Sequence, residues 1–149
     1  YAEALVELNG TVAYDELNLL RARVGMPQFE VLSQDTDPNK VDYGYPISDA
    51  LYEIRRERRV ELAFEVLREQ DWKRWAAHEL FLNMRPKGYP FNSEEFPTED
   101  PILDENGLVD PLQIELPNGY NFNPGRNYLE SVPQTELTLN PNLDQNPGW

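Results

Sequence analysis

"IRRERRVELAFE", residues 54–65, sets four arginines within six positions of a chain whose formal net charge is −14. So dense a run is either a patch for an anionic partner or charge used inside the fold, and helical angles separate the two. At about 100° per residue, with Ile54 at zero, Leu51 falls near +60°, Arg58 near +40°, Glu61 near −20°, Glu65 near +20° and Arg68 near −40°. These charges share a side with Leu51 and Ile54. Val60, Ala63, Phe64 and Leu67, at i, i+3, i+4 and i+7, make a second apolar face. A helix apolar on two sides is a central one. Arg58, Glu61, Glu65 and Arg68 then predict a structural ion-pair stripe, because partly buried charges have to pair. The other reading is an anion or carboxylate clamp, which the interleaved glutamates neutralise. Arg55, Arg56 and Arg59 point elsewhere and read as a solvated face.

Working outward, Ser48-Asp49 offers an N-cap with an acidic first turn, and the apolar pattern runs on to about Leu82. Roughly 34 residues is longer than a typical globular helix, which predicts a bend or break around Glu69 to Asp71. Upstream, "YAEALVELNG" places Ala4, Leu5 and Leu8 on one helical face and ends in Asn9-Gly10, a natural stop. Thr11 can cap a second helix, in which Val12, Leu17, Leu20 and Val24 keep the rhythm until Gly25-Met26-Pro27. Residues 1–27 therefore read as an antiparallel, repeat-like helix pair, 28–47 as a loop, and 48–85 as the central helix region.

Composition changes near residue 85. Three prolines precede it and ten follow, and beyond Lys87 the only basic residue is Arg126. Residues 86–149 read as an irregular segment, with Asn106-Gly107 turning a short hairpin between Ile102-Leu103 and Leu108-Val109. Recurrent Tyr120, Phe122, Tyr128, Leu129, Val132, Leu137, Leu139, Leu143 and Trp149 argue against a solvated tail and for a segment draped over the helices. With 149 residues and 40% hydrophobic composition, one domain is expected.

Several chemistries are excluded or weakened. Thirteen Lys+Arg against 27 Asp+Glu repel nucleic-acid phosphates and anionic membranes. Without cysteine there is no disulfide framework, thiolate nucleophile or cysteine metal site. No stretch is apolar enough to span a bilayer. The chain opens without an initiator Met and in mid-pattern, so it reads as a piece of a longer protein.

His78, the only histidine, sits in "WAAHELF" with no metal-ligand spacing and reads as a partly exposed helix residue. Asp104, Asn106 and Gly107 match part of a calcium loop. Aligning Gly107 as the loop glycine puts Ile102 and Gln113 where carboxylates are required, and the match fails. Among 27 acidic residues no spacing singles out a carboxylate pair for glycoside hydrolysis. No metal or cofactor is expected.

Aromatics carry more. Trp72 and Trp75 read as helix packing. Tyr43 and Tyr45 in one loop, and Tyr89, Phe91 and Phe96 in another, are less easily absorbed by a core. Exposed rings beside Asn and Asp suit sugars, whose apolar faces stack while their hydroxyls seek polar partners.

"IRRERRVELAFEVLREQDWKRW" together with the terminal "NYLESVPQTELTLNPNLDQNPGW" resembles the C-terminal region of the SusD/RagB family of bacterial outer-membrane nutrient-binding lipoproteins. "YAEALVELNG" and "LNLLRARVGMP" look like that family's last helix pair. Val66 stands where the family often has Gly, which would make the helix more continuous here, and Trp72 replaces the usual Leu. The resemblance implies a mainly α fold, a fragment of an α-α superhelix with a TPR-like helix pair, a long central helix and a loop-rich end. It implies a surface-exposed, non-enzymatic protein of the outer membrane that captures oligosaccharides, or peptides in some relatives. Its partner would be a SusC-like TonB-dependent transporter, and its membrane attachment a lipidated N-terminus absent from this chain. No family binding residue transfers by position, so Tyr89, Phe91 and Phe96 are the candidate contacts from the aromatic argument alone. A carboxylate-pair hydrolase and a protein-only helical interaction module are the rival classes.

Overall fold

A computed structural model describes all 149 residues, Tyr1–Trp149. The chain forms two compact units, Tyr1–Leu80 and Phe81–Trp149. Its ordered elements are helices: α1 (Ala2–Asn9), α2 (Tyr14–Arg23), α3 (Asp49–Glu61) and α4 (Arg68–Arg74) in the first unit, α5 (Gln134–Leu139) in the second. The mainly α class holds, and extended segments meet only in isolated bridges.

In the first unit α1 stops at Gly10, whose φ of 77° lies in the left-handed region, with its N–H donated to Val6 O at 2.8 Å. Thr11 does not cap α2. Its N–H is taken by Asn9 Oδ1 at 3.0 Å, and the helix begins after Ala13. The inward residue of α1 is Val6, while Ala4 and Leu8 are exposed. Val6 meets Leu17, Phe29, Leu51 and Ile54 in one core, with Leu20 and Val24 left on the surface. The 28–47 segment contributes Phe29 to that core and Tyr43 to a second one with Tyr52, Trp75 and Ala77. Ser48 Oγ accepts the Leu51 N–H at 3.2 Å, so α3 starts where the sequence places it.

The central helix is broken earlier than expected. α3 ends at Glu61, and Phe64 (φ 66°) and Val66 (φ 60°) adopt left-handed conformations that cannot continue the helical ladder. Val66 therefore does the opposite of lengthening the helix. The turn returns the chain so that buried Asp71 accepts from Arg58 Nε at 2.9 and 2.8 Å and from Arg74 Nε at 3.1 Å.

This geometry also replaces the predicted stripe. Arg58 pairs with Asp71, and Glu61 pairs with Arg23 of α2 at 2.6 Å. Glu65 is exposed without an ion pair, and the Arg68 guanidinium lies 5.6 Å from the Trp75 ring centre. The stripe required one continuous helix through residue 68, and the turn removes that register. The second apolar face is equally affected: Val60, Ala63 and Phe64 are exposed.

Arg55, expected in solvent, is 3% exposed. It donates to Glu3 at 3.2 Å, Glu7 at 3.1 Å and the Tyr45 hydroxyl at 3.1 Å, and its guanidinium lies 5.1 Å from the Tyr43 ring centre and 4.4 Å from that of Trp75. Glu3 also accepts from Trp75 Nε1 at 2.5 Å and from Arg74. A desolvated charge is held by charge-assisted hydrogen bonds and ring faces together.

In the second unit the Asn106-Gly107 turn forms, with a Leu103–Val109 bridge and the Asp110 N–H donated to Ile102 O at 2.7 Å. A Pro90–Leu108 bridge adds a third segment. Asp110, wholly buried, receives both Arg85 Nε (2.7 Å) and Nη2 (2.6 Å). Asp104 receives Lys87 Nζ at 2.5 Å and the N–H groups of Asn106 (2.8 Å) and Leu108 (2.9 Å). Chiefly through the Lys87 ammonium, its carboxyl is lowered from 3.8 to about 2, and the Arg85 guanidinium holds Asp110 below the usual carboxylate range.

The terminal motif closes the same unit. Gln145 accepts the Val132 N–H at 2.8 Å and donates to Val132 O at 3.0 Å, imitating a backbone pair, while Trp149 Nε1 donates to Leu129 O at 3.0 Å. Arg126 covers the Trp149 ring at 3.9 Å.

Three outcomes are expected. Val66→Gly should raise unfolding free energy by about 1 kcal/mol, by removing left-handed strain at a β-branched residue, and urea titration measures it. Arg55→Met should cost roughly 2–3 kcal/mol in the same assay, because Glu3 keeps Arg74 and Trp75 but loses its buried cation, together with the bonds to Glu7 and the Tyr45 hydroxyl. Asp104 and Asp110 have native carboxyls below their unfolded values, so their contribution is complete above the unfolded value near 3.8 and is lost as pH falls through the native values, about 2 for Asp104. The urea midpoint reported by Trp149 fluorescence, in a Trp72→Phe, Trp75→Phe background, should fall across that window, and Lys87→Met should flatten the fall.

Candidate functional site

Tyr89, Phe91 and Phe96 come together on the second unit. Tyr89 and Phe91 are two apart on an extended segment, so their side chains leave the same face. That segment is fixed by backbone bonds on both sides of the bridge: Val109 N–H to Tyr89 O at 3.1 Å, Gly88 N–H to Val109 O at 2.7 Å and Phe91 N–H to Gly107 O at 3.0 Å. Asn92 then turns the chain, its Oδ1 accepting the Glu94 N–H at 3.0 Å and its carbonyl the Phe96 N–H at 3.1 Å. The turn brings the Phe96 ring 6.4 Å from Tyr89 and 6.4 Å from Phe91, the latter pair stacked at 27°.

The rings remain accessible. Tyr89 is 56% exposed and Phe96 41%, and Phe91 is half-buried. Asn92, Ser93, Glu94 and Glu95 on the same turn are exposed and supply donors and acceptors at the rim. The supports are charged: Lys87–Asp104 and Arg85–Asp110 tie together the segments that carry the rings, and both carboxyls stay ionised at neutral pH. An apolar, rigid surface with a polar rim is suited to stacking a pyranose ring.

The other loop aromatics are structural. Tyr43 is buried in the second core of its unit, and the Tyr45 hydroxyl donates to Trp75 O at 2.6 Å while accepting from Arg55. Trp75 is buried, as its helical position requires. His78 lies half-buried in a short 3-10 turn, with Glu79 at 3.5 Å. The Asp104 turn is held by Lys87 and backbone amides, and no group of His, Cys, Asp and Glu side chains has the arrangement of a metal centre.

One arrangement was hidden by the helical projection. Arg58, Arg59 and Arg68 line a groove of about 300 Å³ with Leu62, Phe64, Leu67 and the Arg58-paired Asp71, in the turn between α3 and α4. The projection put Arg68 beside Glu65 on one stripe, and nothing in the periodicity placed a left-handed turn between them. The prior signal was Val66 itself, a residue standing where the resembled family often has glycine.

The sequence model of the SusD family matches residues 1–149, the whole chain. No curated protein and no solved structure matches it. Members of this family are nutrient-binding proteins of the cell surface rather than enzymes, associated with the outer membrane and with SusC-like transporters. The central and terminal motifs are both visible in the fold, as the Arg58–Asp71 turn of "IRRERRVELAFEVLREQDWKRW" and the Gln145 and Trp149 closures of the terminal motif. The chain belongs to the SusD family.

Proposed function

We propose that this chain binds oligosaccharides at the cell surface and delivers them, uncleaved, to a SusC-like TonB-dependent transporter. The observation that carries the reading is the three-ring surface of Tyr89, Phe91 and Phe96, mounted on ion-paired segments and left open to solvent. The rings offer stacking area to sugar faces, and the Asn92–Glu95 turn offers partners for hydroxyls. A rigid support lowers the ordering cost of binding, which matters for a ligand as hydrated as a glycan. Anchoring through a lipidated N-terminal segment would keep the site at the membrane surface, where released ligand meets the transporter.

Isothermal titration of the full-length protein against a panel of neutral oligosaccharides tests this. Binding is expected, with ligand recovered intact after long incubation. Tyr89→Ala and Phe96→Ala should each weaken it by about fivefold to tenfold, as expected for loss of one stacking ring. Binding of peptides with none of glycans, or release of shorter sugars, would overturn the proposal.

A further inference from the structure

We propose that the groove in the α3–α4 turn of the first unit is a carboxylate-binding site, which takes the acid group of a uronate-bearing glycan. The inference rests on the proposed glycan-binding function and specifies the class of ligand.

The observations begin with Arg68. It is half-buried, yet it forms no hydrogen bond or ion pair; its guanidinium lies 5.6 Å from the Trp75 ring centre, and Asp71 attracts it only at longer range. Burial lowers its pKa, the direction expected of a cation short of compensation. Partly desolvated charges in folded proteins are normally paired, whereas this one lines a groove without an ion-pair partner. The absence is not for want of carboxylates, since the chain has 27 of them. Glu65 and Glu69 are nearest in sequence; Glu65 stays exposed and unpaired, and Glu69 goes to Lys73 at 2.7 Å. Asp71 is taken by Arg58 and Arg74.

Arg59 strengthens the case. It lines the same groove, is exposed, and forms no hydrogen bond or ion pair. Within a molecule of net charge −14, this is a local cationic spot formed by two guanidinia free to grip one anion. The groove is also lined by Arg58 and Asp71, which neutralise each other as an ion pair that Arg74 joins, and by the apolar Leu62, Ala63, Phe64, Val66 and Leu67. Phe64 and Val66 hold left-handed backbone conformations and are almost fully exposed. A bare phosphate or sulfate would make no use of these surfaces. A sugar acid presents both a carboxylate for the arginines and an apolar ring face for Phe64, and the groove volume of about 300 Å³ accommodates one such residue.

The test uses the full-length protein and a matched pair of probes, trigalacturonic acid and its fully methyl-esterified form, which share ring and hydroxyl geometry and differ in charge. Calorimetry should show the acid bound about tenfold or more tighter than the ester, the scale of one charge-assisted contact. Arg68→Gln and Arg59→Gln should each erase that preference and leave neutral-glycan binding through Tyr89 unchanged. Arg59→Gln removes an exposed side chain without partners, so it serves where Arg68→Gln unfolds. Equal affinity for acid and ester, or a preference that survives both substitutions, overturns the carboxylate site while neutral-glycan binding keeps the broader reading standing. Failure of every glycan, neutral or acidic, removes both.

Discussion

A buried guanidinium organises the first unit. Arg55 sits in the middle of α3, and a charge placed there has to be met from several directions at once. Glu3 and Glu7 reach it from α1, the Tyr45 hydroxyl from the 28–47 segment, and the Trp75 ring from the end of α4. Each partner is therefore constrained to one position and one orientation, and Glu3 passes the constraint on to Trp75 Nε1 and Arg74. Apolar contacts among Val6, Leu17, Phe29, Leu51 and Ile54 supply cohesion, but they are tolerant of sliding. Directional bonds to one cation are not, which is why so short a set of helices holds a defined arrangement.

The same logic explains the break in the central helix. Continuing α3 beyond Glu61 would carry Asp71 away from Arg58 and Trp75 away from Arg55. The chain instead accepts left-handed conformations at Phe64 and Val66, unfavourable for side chains of that kind, and secures Asp71 between two arginines. Electrostatic closure outweighs local backbone preference here. The strain is confined to an exposed turn, which also leaves the apolar Phe64 and Val66 side chains in solvent.

What was readable in the sequence follows from this division. Local signals worked where one residue's chemistry decides one backbone position: Gly10 ending α1, Ser48 starting α3, Asn106-Gly107 turning the bridged segments. Periodicity failed where a long-range partner overrode it. It assigned Arg55 to solvent because Glu3 and Glu7 lie 52 and 48 residues away, beyond any helical projection. It assigned Arg68 to a stripe because a helix was assumed to continue. For the candidate site, the presence of Tyr89, Phe91 and Phe96 in an Asn- and acid-rich loop was legible. Their convergence was not, since it depends on Lys87–Asp104, Arg85–Asp110 and the Asn92 turn acting together.

That dependence bears on how a loop-rich unit can present a binding surface at all. Segments joined by isolated bridges lack the many parallel hydrogen bonds that stiffen a sheet, and a ring mounted on them would ordinarily move. Asp110 substitutes for the missing ladder: wholly buried, it ties Arg85 to the far side of the turn, and Arg85 in turn donates to Pro117 O at 3.1 Å. Asp104 does the same for Lys87, two residues before Tyr89. Gly119 adds a steric lock, because a Cβ there would lie 2.3 Å from the Asn83 carbonyl carbon. Charge pairs and one close backbone approach thus perform the stiffening that strand pairing performs elsewhere, and the exposed rings inherit a fixed geometry from groups that never touch a ligand.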